Sequence, residues 1–598
     1  MLELSYAEIQ EFLSRLDRGK YPGLKISILR NITVEPIEPY IRYLAWHAGF
    51  DAQVKFGEYD NIFQEASGVR PELLEPATDF VFVFLKLENL SWDLARNFNA
   101  LSKKRIDDEI ERVEDYISSV LAGIRKQSSA AVIWLGFELP SHPSLGSLDS
   151  QSSGGQLGAI GRLNEFLRES LSSAEQSYFV DLNLCRLRLG DSGFYDRRYW
   201  HIGRAPYSRQ ALREIAQESF KIIRSLKGRS KKCLVLDCDN VLWGGIVGED
   251  GLGGIKLGKD YPGSPFYEFQ QEVLNLYNRG IIIALCSRNN EEEVWEVFRK
   301  HPHMLLREEH IAAARINWED KATNIRQLAG DLNIGLDSMV FADDSEFEIQ
   351  LVRETLPEVE TIHLPADRAT ENRDILTSCN LFDTLSLSRE DKKRGAMYKS
   401  EASRKKLRAG TTDLTQYLKS LEMVLSFAPA DEFTIPRLAQ LTQRTNQFNL
   451  TTRRHTETDI RNFAKSSSWD VFSVSLQDRF GDSGIIGVVI VKYEPEKASV
   501  DTFLLSCRIL GRGVEEEVLR RVLERAEEKG CRQVVGEYIP TRKNAQVAEF
   551  YQNHGFQRLG KQSAAGGELF VFNLETGPGP VARSFFKEIV VENARERR

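Results

Sequence analysis

Short apolar runs, separated by stretches with a helical repeat, recur through the first two thirds of the chain. Residues 24–29, 80–84 and 131–135 are followed by 233–236, 280–286 and 339–342, and all but the first are unbroken by charge. A strand covered by helices on both faces needs no polar side, so these runs predict parallel strands inside α/β layers. Residues 35–49, 106–127, 266–278 and 322–332 repeat their apolar positions on one helical face and supply the helices between them. Past residue 422 the pattern changes: 485–491 and 498–506 read as paired antiparallel strands and 514–529 as a helix, an α+β arrangement. The expected fold class is therefore α/β multidomain, with domains at 1–227, 228–388 and 422–598 and a charged helical linker at 389–421. Ser and Gly dominate 147–158, which predicts a flexible loop.

Composition narrows the partners more than the chemistry. The 598 residues are 41% hydrophobic and 28% charged with a net charge of -8, so there is no basic field for nucleic acid. Residues 1–16 form an amphipathic helix interrupted by Glu3, Glu8 and Glu11, which is neither a signal peptide nor a membrane span. No later run reaches membrane length. The seven cysteines, 185, 233, 238, 286, 379, 507 and 531, are odd in number and lack a paired metal spacing, which points to reduced thiols in a cytoplasmic protein.

The candidate chemistry gathers at the ends of the central apolar runs. Asp237 and Asp239 follow 233–236 one residue apart, which suits attack on phosphorus by one carboxylate and leaving-group proton handling by the other, both close to one Mg²⁺. Such a nucleophile needs a hydroxyl for the phosphoryl oxygens, a cation, and further carboxylates for the metal. Ser287 ends the run 280–286, Lys321 opens the helix 322–332, and Asp343 and Asp344 end 339–342. All fall outside the carboxyl ends of predicted parallel strands, where open α/β sheets build their sites.

This ordered set resembles the four motifs of the haloacid dehalogenase (HAD) phosphatase superfamily. One departure is Val241, where the family often has Thr. The continuation Asp237-Cys238-Asp239-Asn240-Val241-Leu242-Trp243-Gly244-Gly245 through Gly251 resembles the FkbH-type branch, strongest over 232–560. That resemblance implies a HAD Rossmann-like core with a minimal cap, a glycine-rich flap at 243–258, and a glyceryl transferase/phosphatase of polyketide biosynthesis. Such an enzyme removes the phosphates of 1,3-bisphosphoglycerate and loads the glyceryl unit onto the phosphopantetheine thiol of an acyl carrier protein. The first segment resembles the SGNH-hydrolase-like domain that precedes the HAD core in long members. It has Arg30-Asn31-Ile32-Thr33 where the nucleophilic Ser is needed, so a catalytically silent scaffold is expected. Gly190-Asp191-Ser192-Gly193 reads as a turn, and Asp196 and His201 as surface or docking residues.

The last segment resembles the GCN5-related acyltransferase (GNAT) fold. Arg508, Gly511, Arg512 and Gly513 form an R-x-x-G-x-G turn ahead of a helix, which can present backbone N–H groups to a pyrophosphate. Asn544 and Tyr551 match the later motif of that fold and join the pantetheine- or coenzyme A-binding candidates. The polar stretches 442–449 and 479–484 suggest a surface for the pantetheine arm or the glyceryl group. Basic clusters at Lys392, Lys393, Arg394, Arg404, Lys405 and Lys406 suit a solvated helix face or the acidic helix of a carrier.

Between its two carboxylates, Cys238 is the first candidate for a thiol that accepts the acyl group, with Cys507 and Cys286 as competitors. Three other readings stay open. They are a phosphatase of a soluble phospho-metabolite, a GNAT-type N-acyltransferase with a regulatory phosphatase-like domain, and a docking scaffold.

Overall fold

The computed structural model describes residues 4–385, 397, 404, 407, 413–445, 447–506, 509–541, 543–563, 566–575 and 585–592. Cys507, Arg508, Asn446 and the linker residues Lys392, Lys393, Arg394, Lys405 and Lys406 lie outside the described residues. The chain is a mixed α/β protein of two compact units, Met1–Leu226 and Lys227–Arg598. Among the described residues no helix is long and apolar enough to cross a membrane.

The first unit holds one parallel sheet of β1 (Gly23–Arg30), β2 (Asp51–Tyr59), β3 (Phe80–Phe84), β4 (Ala131–Leu135) and β5 (Ser177–Val180), in the order β2-β1-β3-β4-β5. β3 and β4 are buried at every position, as unbroken apolar runs require. Helices cover both faces; Lys103–Gln127 presents Val113, Ile117, Val120 and Ile124 to the core. At the carboxyl end of β1, Asn31 accepts from the Lys86 backbone N–H at 2.7 Å and donates to the Lys86 carbonyl at 3.1 Å. Its amide is thereby spent on holding the β3 loop.

Two details of this unit differ from the sequence expectation. The segment 147–158 is built from the 3-10 helix Gly146–Gln151 and the first turn of the helix Gln156–Ser173 rather than being loop throughout, because Asp149 is buried and accepts from the N–H groups of Gln156 (2.8 Å) and Leu157 (3.0 Å). The stretch 190–193 lies within the helix Leu182–Phe194, kinked at Gly190 by its φ of 68°, instead of forming a free turn. Asp196 caps the short helix Arg197–Gly203 through the Tyr199 N–H.

The second unit contains two sheets. The first is fully parallel: β6 (Cys233–Leu236), β7 (Ile282–Ser287), β8 (Ile311–Ile316), β9 (Met339–Asp343) and β10 (Glu360–His363), in the order β10-β9-β6-β7-β8. β6 lies in the middle, so whatever follows Leu236 emerges at the centre of the carboxyl edge. The flap is pinned by paired Gly244 and Lys256 backbones and contains the helix Val247–Gly254, kinked where Gly251 takes φ 66°.

The second sheet is mixed. Its strands are β11 (Val424–Pro429), β12 (Phe448–Asn449), β13 (Trp469–Asp478), β14 (Gly481–Glu494), β15 (Lys497–Leu505), β16 (Gln533–Tyr538), β17 (Gln557–Gln562), β18 (Glu568–Asn573) and β19 (Glu588–Val591). The order is β17-β18-β16-β15-β14-β13-β11-β19. β15 and β16 pair in parallel only over 497–499 with 533–535 and then part. The short β12 enters the gap, pairing Phe448 with Leu505 and Asn449 with Leu504, while the Ile539 N–H donates to the Leu450 carbonyl at 2.8 Å.

Candidate active site at the carboxyl edge of the parallel sheet

The chain leaves β6 at Leu236 and bends at Cys238, which packs in the apolar cluster of Leu234 and Leu236 while Asp237 turns to Lys321. Asp237, Asp343 and Asp344 converge, each offering an oxygen within 4.8 Å of the others. Lys321 lies between two of them: its Nζ is 2.9 Å from Asp237 Oδ2 and 2.5 Å from Asp343 Oδ2. The lysine arrives there because Asp320 caps its helix through the Thr323 N–H and fixes the first turn over the sheet. Asp343 Oδ1 accepts from the Ser345 N–H at 2.9 Å. Asp344 is held by the Asn240 side chain, and Asn240 takes a left-handed φ of 56° while accepting from the Gly245 N–H at 2.9 Å.

Asp237 Oδ1 is buried and makes no hydrogen bond. A buried carboxylate oxygen without a donor is costly unless a cation or a reacting group meets it. Three carboxylates against one lysine leave net negative charge in a closed space, and all-oxygen donors suit a hard divalent cation. Asp237, Asp343 and Asp344 therefore fit Mg²⁺ as a donor set; when bound, the cation would neutralise phosphoryl oxygens.

Burial and the negative charge of Asp237 push Asp343 up to about 7, against the partial relief that Lys321 gives. Burial pulls Lys321 down, but Asp237 and Asp343 outweigh it and hold the ammonium above its ordinary range. A raised carboxylate favours the native state below its unfolded value, near 3.9, and loses that contribution as the pH rises through about 7. The metal-free chain is therefore expected to melt at lower temperature at pH 8 than at pH 6. The thermal shift on adding Mg²⁺ should grow over the same interval, because the cation replaces the proton. Differential scanning calorimetry of the wild type and of Asp343→Asn checks this; an equal pH dependence in the variant would exclude Asp343 as its source.

Asp239 departs from the sequence expectation of a metal ligand. Its side chain lies outside the three-carboxylate group because other donors occupy both oxygens: Trp243 Nε1 (2.8 Å) and the Val247 N–H (3.1 Å) on Oδ1, and Asn289 Nδ2 (2.7 Å) on Oδ2. Burial raises it above the ordinary carboxylate range, with those three donors opposing. Such a group can hold a proton, as a general acid must. Trp243, Asn240 and Asn289 were not among the sequence candidates; Trp243 lies four residues after Asp239, a spacing that a tight turn brings together.

Ser287 ends β7, nearly fully buried, and its hydroxyl is hydrogen-bonded with the Cys238 thiol. The structure corrects the expectation for Cys238 itself. Its side chain lies wholly inside the apolar cluster with Leu234, Leu236, Val241 and Leu242, and burial first, then Asp237, pushes the thiol far above its ordinary value. A thiol so placed packs as a small core residue and is held protonated. Cys286 is likewise buried and raised, chiefly by burial.

The candidates of the mixed-sheet domain are corrected further. Asn544 is fully buried and satisfied: Nδ2 donates to the carbonyls of Asn449 (2.9 Å) and Ile539 (3.0 Å), and Oδ1 accepts from the Thr541 N–H at 2.7 Å. It ties β12 into the gap beside β16 and offers nothing to a ligand. Tyr551 is a core ring packed on Phe556 and Phe570, and a Cβ at Gly536 would collide with it. Arg512 is buried with its guanidinium on Asp478, 3.4 Å away, which Arg404 also grips at 2.6 Å.

Gly511 and Gly513 take φ of 75° and 74°, as the expected turn requires. Yet the Gly511 N–H donates to Glu515 at 3.0 Å, Phe585 fills the space above Gly513, and Glu515, Glu516 and Glu517 crowd the first helical turn. A pyrophosphate would meet carboxylates there, so this helix start is closed to it.

No protein-family model matches the chain, and no curated protein does. Among solved structures, the chain is similar to the N-terminal part of the protein BF1531 from Bacteroides fragilis, which contains a phosphatase domain and was crystallised with Mg. The match has 28% identity and a TM-score of 0.57 and covers 64% of this chain and 100% of that one. A smaller part, 26% of the chain, matches 99% of the ribosomal-protein-S18-alanine N-acetyltransferase from Escherichia coli at 12% identity and a TM-score of 0.21.

Proposed function

We propose that the chain is a Mg²⁺-dependent phosphatase whose phosphoryl transfer serves acyl loading. Its substrate is 1,3-bisphosphoglycerate, and its product is a glyceryl thioester on the phosphopantetheine arm of an acyl carrier protein. The observation that carries the phosphatase part is Asp237, buried with one oxygen free and the other held by Lys321. Likeness to a Mg-complexed phosphatase domain supports it. The free oxygen attacks phosphorus, the bond from phosphorus to the leaving oxygen breaks, and Asp239 supplies the proton to that oxygen. Lys321 and the Ser287 hydroxyl face the phosphoryl oxygens as charge moves onto them. Asp239, deprotonated by that step, then takes a proton from the water that releases phosphate from Asp237.

The transfer part rests on the FkbH-like sequence and on the acyltransferase-like segment that follows the phosphatase core. Intact mass spectrometry of a holo carrier protein, after incubation with the chain, Mg²⁺ and 1,3-bisphosphoglycerate, should show a glyceryl adduct. Phosphate release with no adduct on any carrier would remove the transfer part and leave a phosphatase of a soluble phospho-metabolite.

A further inference from the structure

Arg288, the residue after Ser287, reaches across the carboxyl edge of the parallel sheet. β7, which delivers it, and β9 stand on either side of β6, about 10 Å apart. From β7 the guanidinium meets Glu348 of the helix Glu346–Thr355, which follows β9, with Nη1 3.1 Å from Glu348 Oε1. The arginine side chain therefore spans the line along which β6 delivers Asp237. Two further relations fix its place. Glu348 is tied to the site through Ser345, whose hydroxyl accepts the Glu348 N–H at 3.4 Å and whose own N–H donates to Asp343. Arg288 also stands close enough to Asp320, the residue before Lys321, to help the Thr323 hydrogen bonds and Arg326 hold that carboxyl low.

Two cations thus serve this edge at different depths. Lys321 is 4% exposed and taken up by Asp237 and Asp343, whereas the Arg288 side chain is 39% exposed. Glu348 is its one ion-pair partner among the described residues. Glu348 itself is buried, and its Oε2 has no partner. A clasp made for stability alone would satisfy both carboxylate oxygens and bury its cation. This pair does neither: a buried acid aims a guanidinium whose remaining N–H groups are left for another acceptor. In-line displacement places the leaving group on the far side of phosphorus from Asp237, so the body of the substrate extends away from the buried carboxylates. The cation outside Lys321 is Arg288, a rigid fork of donors that matches a carboxylate or a phosphate as a simple ammonium does not.

We propose that Arg288 is a substrate-binding residue that selects phosphate esters with a second anionic group, a carboxylate or a phosphate, on the leaving group. The assignment rests on the phosphatase reading above and adds to it the substrate class and the residue that reads it. Glu348 acts through Arg288 and is a positioning residue.

The test uses the full chain with Mg²⁺ and reads phosphate release from three esters. These are 3-phosphoglycerate, which carries a carboxylate, 1,3-propanediol bisphosphate, which carries a second phosphate, and glycerol 1-phosphate, which carries neither. The wild type should prefer one of the first two over glycerol 1-phosphate by about 10- to 10²-fold in kcat/KM, the range of a hydrogen bond to a charged group, and the preferred ester names the anion. Arg288→Gln should lose that preference through KM, while its rate on glycerol 1-phosphate falls by no more than about threefold. Arg288→Lys, which keeps the charge without the fork, should fall between the two. Glu348→Gln should raise KM for the preferred ester and leave kcat within about twofold. Equal losses by Arg288→Gln on all three esters, or a preference that survives it, would overturn the assignment, as would a wild type with no preference; each leaves the phosphatase standing. A wild-type chain that releases phosphate neither from these esters nor from p-nitrophenyl phosphate would overturn both.

Discussion

Asp237→Asn should abolish phosphate release while leaving the fold intact, a fall on the order of 10⁴-fold or more, since removing the nucleophile of an interdependent site costs about as much as removing the whole site. Asparagine keeps the shape of the side chain but supplies no anionic oxygen to form the bond to phosphorus. Stability should change little. Lys321 keeps its contact with Asp343, and the loss of one carboxylate lowers the repulsion that holds Asp343 up. The variant should therefore show a lower Asp343 pKa and should melt at or above the wild-type temperature without Mg²⁺. Steady-state phosphate release with p-nitrophenyl phosphate, run beside calorimetry, separates the two effects. Trapping labelled phosphate on the wild type and not on the variant would locate the covalent intermediate. Full turnover by a folded Asp237→Asn chain would remove Asp237 as nucleophile and the phosphatase reading with it.

The parts of this site that could be read in the sequence are those fixed by strand geometry. β6 and the runs 282–286 and 339–342 that open β7 and β9 are charge-free and apolar, and the polar residue next after each run must emerge at the carboxyl edge of a parallel sheet. Asp237, Ser287 and Asp343 follow from that alone. The same geometry decides Cys238, although its place between two carboxylates suggested a reactive thiol. Cys238 falls at the even spacing of Leu234 and Leu236 and joins the apolar cluster they form on one face of the sheet.

What could not be read are contacts made at long range. Asn289 reaches Asp239 from 50 residues downstream, and Asn544 closes the gap beside β16 by gripping a backbone 95 residues upstream. No local pattern encodes whether such an amide faces a ligand or its own chain. The turn at Gly511 shows the limit of motif reading from the other side. Its glycines adopt the anticipated backbone, but the carboxylates that follow use the donors that make such a turn an anion site.

Lys321→Met should cost both rate and stability, and the stability loss should depend on Mg²⁺. The lysine is 4% exposed, and its ammonium is the one cation within hydrogen-bond distance of Asp237 and Asp343 among the described residues. Methionine keeps most of the buried stem, so packing survives, while the two carboxylates are left facing each other. Breaking a buried pair by removing one partner typically costs about 3–5 kcal/mol, less whatever protonation of a carboxylate recovers. Without divalent cation the variant should therefore melt well below the wild type at pH 8. The deficit should shrink toward pH 6, where Asp343, pushed higher still, takes up a proton. Added Mg²⁺ should restore much of the stability at pH 8, because it supplies the missing positive charge to the same carboxylates. Turnover should not recover with it: a donor that meets the phosphoryl oxygens as charge develops is worth about 10²–10³-fold, and its loss persists at saturating cation. Melting curves with and without Mg²⁺ at the two pH values, paired with kcat at saturating Mg²⁺, test each part. A variant as stable as the wild type in the chelated state, or one whose rate Mg²⁺ restores, would show that Lys321 is neither the counter-ion of these carboxylates nor a contact of the phosphoryl group.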